Sequence, residues 1–356
     1  MELKPKSRTE VEGIVQDAIS NAVDFVEGEI SEDRIKAQRY YDGEVDLGYE
    51  KGRSKVVATK VRDTIRAVKP SLMRIFLSTA KPVEYVPSGP EDVAMAEQAT
   101  EFMHHEFTRL NGYRVMNDAF QDALVKKQGI VKAYWMTYPE AEIYTFSDLS
   151  DDEYTYLLDD DDVTVIEHSV EMSIDMDEMG MAMEMPVHSV KLSRQKEKGE
   201  LCIESVPPEE FFVSRDARSL ADAYIVAHRT DMRAGDLIAM GYDPEIVLNL
   251  DNFESGADVT EVETFERRGY DVDSSDEDMQ DPSMLNVAVT EAYMRIDVDG
   301  TGIPVLHKIT CGGTAYEMLD YEPCDELPFA KFEVDPEPHT FYGRSLAEIV
   351  MDDQDA

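Results

Sequence analysis

Apolar residues at the start of the chain recur every three or four positions. Val11 and Val15 begin a pattern that predicts helix through most of the first forty residues. Ser31, followed by two acidic residues, predicts the N-cap of a second helix within that stretch. A further helical pattern covers residues 56–77, and Pro70 within it predicts an end or a kink.

The middle of the chain changes from a period of about 3.6 to a period of two. Asn111-Gly112 breaks residues 90–129 into a predicted helical hairpin. Alternating or continuous apolar runs then predict strands at 130–138, 163–172, 187–195, 200–206, 223–229 and within 286–332. We predict turns at Lys198-Gly199, Asp299-Gly300 and Gly312-Gly313, and a helix capped by Thr230-Asp231 that ends at Gly241. The fold class is therefore α+β, with N-terminal helices, a helical hairpin and antiparallel β-meanders.

Shifts in pattern and composition divide the chain into five predicted parts. These are a mainly helical part, 1–130; an α+β region with acidic loops, 131–250; an acidic connector poor in large apolar residues, 251–285; a β-meander, 286–340; and the start of a helix, 341–356.

The net charge of the chain makes some classes of function unlikely. The 356 residues carry 76 Asp and Glu against 34 Lys and Arg, a net charge of -42. Such a surface repels phosphates, which argues against tight DNA binding over most of it. No Lys or Arg lies between Ala133 and Val190. The most basic stretch, from Lys55 to Arg74, is either a solvated helix face paired with acidic neighbours or a contact with a partner subunit or nucleic acid.

Cysteine spacing and hydropathy exclude several further classes. Cys202, Cys311 and Cys324 form no C-x-x-C pair, so neither a zinc ribbon nor a disulfide framework is indicated. No apolar run approaches the roughly 18 residues of a membrane span. The polar, charged N-terminus is unlike a signal peptide.

Three acidic or histidine clusters are candidates for chemistry. Asp297 opens a sequence like that of a calcium loop, but Lys308 stands where a Glu is needed, and a hairpin turn is favoured. Asp159–Asp162 would suit hard cations, but consecutive side chains diverge, which favours a solvated acidic loop. His104-His105 diverge by about 100° on a helix. We find no catalytic motif and predict no enzyme activity, no metal and no cofactor.

Three segments, in this order and spacing, resemble the portal (head-to-tail connector) proteins of tailed bacteriophages, in the branch found in short-tailed phages. We call Gly52–Phe76 the first signature segment, Val206–Ser214 the second and Phe341–Glu348 the third. The residues that carry the resemblance are Gly52, Arg53, Ser54, Pro70, Ser71, Arg74, Pro207, Pro208, Glu210, Phe211, Tyr342, Gly343, Arg344 and Ser345. Ser345, with Glu348 three residues later, also predicts a capping box at a helix start.

The resemblance implies a portal-like wing region and a structural role in the virion. Portal proteins form dodecameric rings at one capsid vertex, through which double-stranded DNA passes without sequence specificity. The implied partners are further copies of the chain, the terminase large subunit, head-tail adaptor and tail proteins, and capsid and scaffolding proteins, with no membrane. Assembly is expected in the host cytoplasm. No catalytic residue is implied, because the packaging ATPase is a separate protein.

Some features leave alternatives open. The chain stops about three turns after Ser345, whereas similar portals continue, so we expect a truncated, split or fragmentary chain. Other hypotheses are a metal-dependent nuclease or phosphotransferase using the Asp clusters, or an acidic DNA mimic or adaptor. The charge suggests an acidic channel wall to which DNA adheres little. Locating the stretch without Lys or Arg on the outer rim of the ring would contradict that idea.

Overall fold

The N-terminal helices form one continuous run. A computed structural model describes residues 4–45, 57–78, 83–159, 162–176, 182–251, 259–269 and 281–355. Helix α1 (Arg8–Phe25) passes through one π-turn (Val26–Ile30) into α2 (Ser31–Asp42). The predicted N-cap at Ser31 is wrong, because its backbone N–H already donates to Val26 in the preceding turn.

Helix α3 (Lys60–Leu77) continues through Pro70, so the helix does not end there. A proline inside a helix costs about 3 kcal/mol relative to alanine. Burial of Val61, Ile65 and Met73 on the inner face of α3 offsets that cost. The predicted hairpin is confirmed as α4 (Val93–Arg109) and α5 (Gly112–Val125).

One antiparallel sheet has five strands in the order β4-β5-β6-β7-β8. They are β4 (Phe211–Val213), β5 (Ile225–Arg233), β6 (Asn286–Ile296), β7 (Val305–Gly312) and β8 (Glu317–Pro323). The apolar face of α1 packs on this sheet, where Val15 and Ile19 are buried with Met294 and Ile309 in one hydrophobic core. The apolar face of the helix, set by its period of 3.6, therefore packs on the apolar face of the sheet, set by its period of two, in a two-layer α/β arrangement.

A second sheet has the order β2-β3-β1-β9. Its strands are β1 (Gln128–Leu149), β2 (Val163–Met176), β3 (Ala182–Val206) and β9 (Phe329–Glu333). The predicted turn at Lys198-Gly199 is wrong, since β3 is continuous there. Gly199 instead makes room for Trp135, because a Cβ at this position would lie 2.3 Å from the indole nitrogen.

The remaining elements among the described residues are short. They are α6 (Asp151–Leu158), α7 (Ala234–Ala239), α8 (Pro244–Val247), α9 (Val259–Arg268) and α10 (Leu346–Asp355), with 3₁₀ turns at Pro90–Asp92, Pro208–Glu210 and Pro282–Met284. The predicted cap at Thr230-Asp231 is wrong, because both residues lie in β5 and the N-cap of α7 is Arg233. The predicted connector over 251–285 contains helix α9, which the sequence pattern did not reveal.

The chain divides into two compact units. Unit 1 is Met1–Tyr134 with Cys202–Ala356, and unit 2 is Trp135–Leu201. The α+β class is confirmed. Within the described ranges, every helix is too short or too polar to cross a bilayer.

Candidate functional site

The second and third signature segments meet in one core of unit 1. Phe211 at the start of β4 is fully buried, and its ring lies 5.3 Å from Phe329 and 6.4 Å from Phe341, between centroids. Ile130 and Val206 complete the same apolar cluster. The two segments, 130 residues apart in sequence, therefore form part of one hydrophobic core.

Arg34 of α2 ties the two segments together. Its guanidinium is fully buried and donates to the carbonyl of Pro208 at 2.8 Å. The same group lies 5.6 Å from the centre of the Tyr342 ring, a cation–π distance. Pro207 precedes the 3₁₀ turn Pro208–Glu210, and Glu210 at the end of that turn accepts from His228 at 3.4 Å.

The third signature segment passes close to the backbone at Asp335 and then enters a capped helix. Arg344 donates its backbone N–H to the carbonyl of Asp335 at 2.9 Å. Ser345 and Glu348 form the predicted capping box, which is confirmed: Ser345 N–H donates to the Glu348 carboxylate at 2.7 Å, and Glu348 N–H donates to Ser345 Oγ at 3.1 Å. Lys127 then pairs with Glu348 at 2.6 Å.

A buried charge cluster lies beside these segments. Arg267 of α9 forms two hydrogen bonds to Glu209, at 2.8 and 2.9 Å, and one to Asp122 at 2.8 Å. Lys126 lies 3.5 Å from Glu209 and 3.9 Å from Glu263. Helix α9 is thus joined to the end of α5 and to the second signature segment by ion pairs, whose geometry is bidentate at Glu209.

Burial and neighbouring charges shift the pKa values of this cluster in opposite directions. Burial would raise the pKa of Glu209, but the charges of Lys126 and Arg267 outweigh it and lower that pKa to about 2. For Asp122 burial prevails over Arg267, so its pKa is raised. Burial also lowers the pKa of Lys126. Of these two carboxylates, Glu209 is therefore the one that the cluster holds ionised.

Stability should fall as the pH drops from about 5 towards 2, and Glu209→Gln should weaken that dependence. The pKa of Glu209 is lower in the folded chain (about 2) than its ordinary value of 4.5. Its stabilisation is therefore complete above about pH 5 and lost as the pH falls through 2. The shift corresponds to about 3 kcal/mol, part of which the opposite shift at Asp122 offsets. Urea unfolding at pH 6, 4 and 3 measures the slope, and exposed Glu317→Gln is the control. Equal slopes in wild type and Glu209→Gln would contradict the assignment.

The described residues that carry the resemblance in the first signature segment lie on the exposed face of α3. Gly52, Arg53 and Ser54 lie outside the described residues. Pro70, Ser71 and Arg74 are exposed on α3. Pro70 and Arg74, with Tyr113 from α5, line an open cleft of about 540 Å³, which we call the α3 cleft.

The α3 cleft combines unpaired cations with apolar surface. Arg66 and Arg74 are exposed and form no ion pair within the described part of the chain. Lys69 donates to Gln121 at 3.0 Å, and burial lowers the pKa of its ammonium. Tyr113, which lines the cleft, is 59% exposed. In a chain of net charge -42, this is a surface suited to an acidic partner segment with apolar side chains.

The other sequence candidates do not converge on a reactive site. The Asp297 carboxylate accepts the backbone N–H groups of Thr301 and Gly302, as in an ordinary turn between strands. Of the cluster Asp159–Asp162, positions 160 and 161 lie outside the described residues. His104 and His105 lie on α4. Among described residues, no three His, Cys, Asp or Glu side chains are grouped to hold a metal ion.

Sequence reasoning missed the charge cluster. Glu209 sits in a predicted strand exit, where nothing in the local pattern marks it as buried. Glu263 and Arg267 fall in a stretch whose polar composition indicated a connector. Their spacing of four residues, together with apolar residues at Val259, Val262 and Phe265, is the signal of a helix there.

Comparison with known proteins gives one result for the whole chain. The family model described as phage SU10 portal protein matches residues 11–356. That span includes all three signature segments. Among curated proteins, none matches the sequence at a significant level.

Proposed function

Because this chain belongs to the phage SU10 portal protein family, with the structural virion role of a phage portal, we propose that it forms the ring at one capsid vertex through which DNA is packaged and ejected. The observation that carries the proposal is the family match over residues 11–356. The ring would be a homo-oligomer, with twelve copies as the expected number. Its proposed partners are the terminase large subunit, head-tail adaptor and tail proteins, capsid and scaffolding proteins, and the passing duplex.

We place one subunit contact of the ring at the α3 cleft. A ring needs a heterologous interface, in which two different surfaces of the same chain meet. The cleft offers Arg66 and Arg74, which form no ion pair within the described part of the chain, together with exposed Tyr113, on a chain that is otherwise strongly acidic. Charge complementarity therefore favours an acidic segment of the next copy as the occupant, and attraction between them would also speed association.

Charge reversal at the cleft tests this assignment. We expect the purified chain to form particles close to twelve times its 40.3 kDa mass, as measured by mass photometry. The double variant Arg66→Glu/Arg74→Glu should reduce the ring fraction at least tenfold at low salt, because attraction becomes repulsion. Arg218→Glu, at an exposed turn before β5, is the control for a basic-to-acidic change elsewhere.

The two possible failures are distinguishable. If the wild-type chain forms no large oligomer at any concentration tested, ring assembly by this chain is contradicted. If the wild type forms rings and the double variant forms them equally well, only the contact at the α3 cleft is contradicted. Negative-stain images of the same samples separate closed rings from open filaments.

A further inference from the structure

Helix α6 carries two carboxylates and an aromatic ring on one side, which we call the α6 stripe. Asp152, Tyr156 and the C-cap Asp159 stand at positions i, i+4 and i+7, a spacing that places them on one face of a helix. The Tyr156 side chain is 82% exposed, and both aspartates are exposed. Neither carboxylate forms an ion pair within the described part of the chain. The stripe is therefore available to a partner.

The opposite side of α6 attaches the helix to the β2–β3 hairpin. Asp151 Oδ1 lies 2.6 Å from His188 Nε2, and the Tyr154 ring is stacked on the same histidine with 4.6 Å between centroids. Leu157, on this side as well, is half-buried. Because a helix turns by about 100° per residue, these three residues lie roughly opposite the α6 stripe. The contacts that hold α6 in place therefore turn the stripe outward.

The α3 cleft has a complementary pattern. Arg66 and Arg74 both line it, and eight helical residues separate them, which is about 12 Å at roughly 1.5 Å per residue. Pro70, midway between them in sequence, also lines the cleft, and Tyr113 of α5 adds an exposed ring. The cleft thus offers two cations about 12 Å apart with apolar surface beside them.

The spacings of the two surfaces agree. Seven helical residues separate Asp152 from Asp159, which is about 10.5 Å, and the long arginine side chains can absorb the small difference. When both carboxylates meet guanidinium groups, Tyr156 falls between the two ion pairs. The cleft volume of about 540 Å³ lies within the range of roughly 300–1,000 Å³ found for small-molecule sites, so an aromatic ring fits. Tyrosine and arginine are also the residues that most often dominate interface energies.

We propose that α6 of one copy docks in the α3 cleft of the next copy. The inference rests on the ring assembly proposed above and names the segment that fills the cleft. Asp152 and Asp159 pair with the two arginines, and the ring of Tyr156 enters between them. The contact is heterologous, because α6 and the cleft are different surfaces of the chain and each copy uses both.

Helix α4 is the alternative acidic occupant, and its pattern fits the cleft less well. Its ring at Phe102 is 59% exposed. Glu106, four residues later, is buried and pairs with Arg109 at 2.7 Å. The exposed Glu97, five residues before Phe102, lies about 140° away around the helix. In α4 the exposed ring and this carboxylate therefore point in different directions, whereas in α6 they form one stripe.

Mixing two charge-reversed variants tests the contact. Arg66→Glu/Arg74→Glu makes the cleft acidic, and Asp152→Lys/Asp159→Lys makes the α6 stripe basic. Alone, each variant meets its own copies with like charges, so we expect at least tenfold fewer assemblies than in the wild type, by mass photometry at low salt. In an equimolar mixture every contact joins an acidic surface to a basic one, and assemblies should return to at least half the wild-type level. An alternating ring needs an even number of copies, which twelve satisfies.

Two further variants separate this contact from a general effect of charge. Glu91→Lys/Glu97→Lys makes the same change in net charge at exposed positions before and within α4, and should assemble like the wild type. Tyr156→Ala should reduce assembly at least tenfold, because the cleft loses its aromatic occupant, and Tyr156→Phe should retain it.

The outcomes distinguish the α6 contact from ring formation. If the wild type forms rings and Asp152→Lys/Asp159→Lys forms them equally well, or if mixing folded variants restores nothing, α6 is not the occupant and the ring stands. If the assemblies are open filaments and mixing restores them, the α6 contact is supported and the closed ring is contradicted. A wild-type chain that associates at no concentration contradicts both.

Discussion

Replacing Arg267 with alanine is expected to lower the free energy of unfolding by about 3–5 kcal/mol. The guanidinium donates to Glu209 twice and to Asp122 once, and both carboxylates are buried. Removing it leaves two buried carboxylates, and among the described residues the remaining cation beside Glu209 is Lys126, at 3.5 Å. Breaking a buried pair by deleting one partner is costly for this reason, even where the intact pair adds little net stability. Urea unfolding at pH 7 measures the change.

Arg268 provides the matched control for this prediction. It follows Arg267 on α9 but is exposed, so Arg268→Ala should change stability by no more than about 0.5 kcal/mol. Arg267→Lys keeps the charge but loses the planar fork that binds Glu209 with two bonds, and should fall between the two. Equal stabilities of Arg267→Ala and Arg268→Ala would show that the ion pairs do not hold α9.

Replacing Gly343 with alanine is expected to cost about 3 kcal/mol or more. A Cβ at this position would lie 2.2 Å from the carbonyl oxygen of Asp335 and 3.0 Å from the Cα of Pro336. Both are backbone atoms, so the two chain segments must separate and the bond from Arg344 N–H to Asp335 is lost. Overpacking of this kind is destabilising because the neighbours cannot relax as a flexible side chain would.

Gly13 on α1 is the control for the same chemical change. No atom lies within 4 Å of the position its Cβ would take. Gly13→Ala should therefore stabilise the chain by about 0.5–1 kcal/mol, through the helix propensity of alanine and a less flexible unfolded state. Thermal or urea unfolding of the two variants should move in opposite directions. If Gly343→Ala also stabilised the chain, the close approach of Gly343 to the backbone of Asp335 would be contradicted.

Elements with a long amphipathic repeat could be predicted from the sequence. Helix α1 and the α4–α5 hairpin follow from apolar spacing, and the capping box at Ser345 follows from local chemistry. These features depend on residues within one or two turns of each other. Local pattern is sufficient for such features because the forces that form them act over the same short range.

Features that depend on distant partners could not be predicted in this way. The pattern at Gly199 indicates a turn, whereas the residue actually accommodates Trp135, which is 64 positions earlier. Helix α9 is polar, and its attachment comes from ion pairs to α5 and the second signature segment. His168 Nε2 and His188 Nδ1 lie 2.7 Å apart because of the register of the β2–β3 hairpin, which alternation alone leaves open.

The packing of α1 has a consequence for the order in which the chain folds. The apolar face of α1 is covered by strands that include Ile309 and Met318, and Arg8 donates to the carbonyls of Met318 and Leu319. About 300 residues must be synthesised before those partners exist, which takes about 15–60 s at roughly 5–20 residues per second. Its first partners, Phe212 on β4 and Ile225 on β5, are themselves made only after about 200 residues. For most of translation the first helix is therefore an unpartnered amphipathic segment, and its complete docking is a late, high-contact-order step of folding.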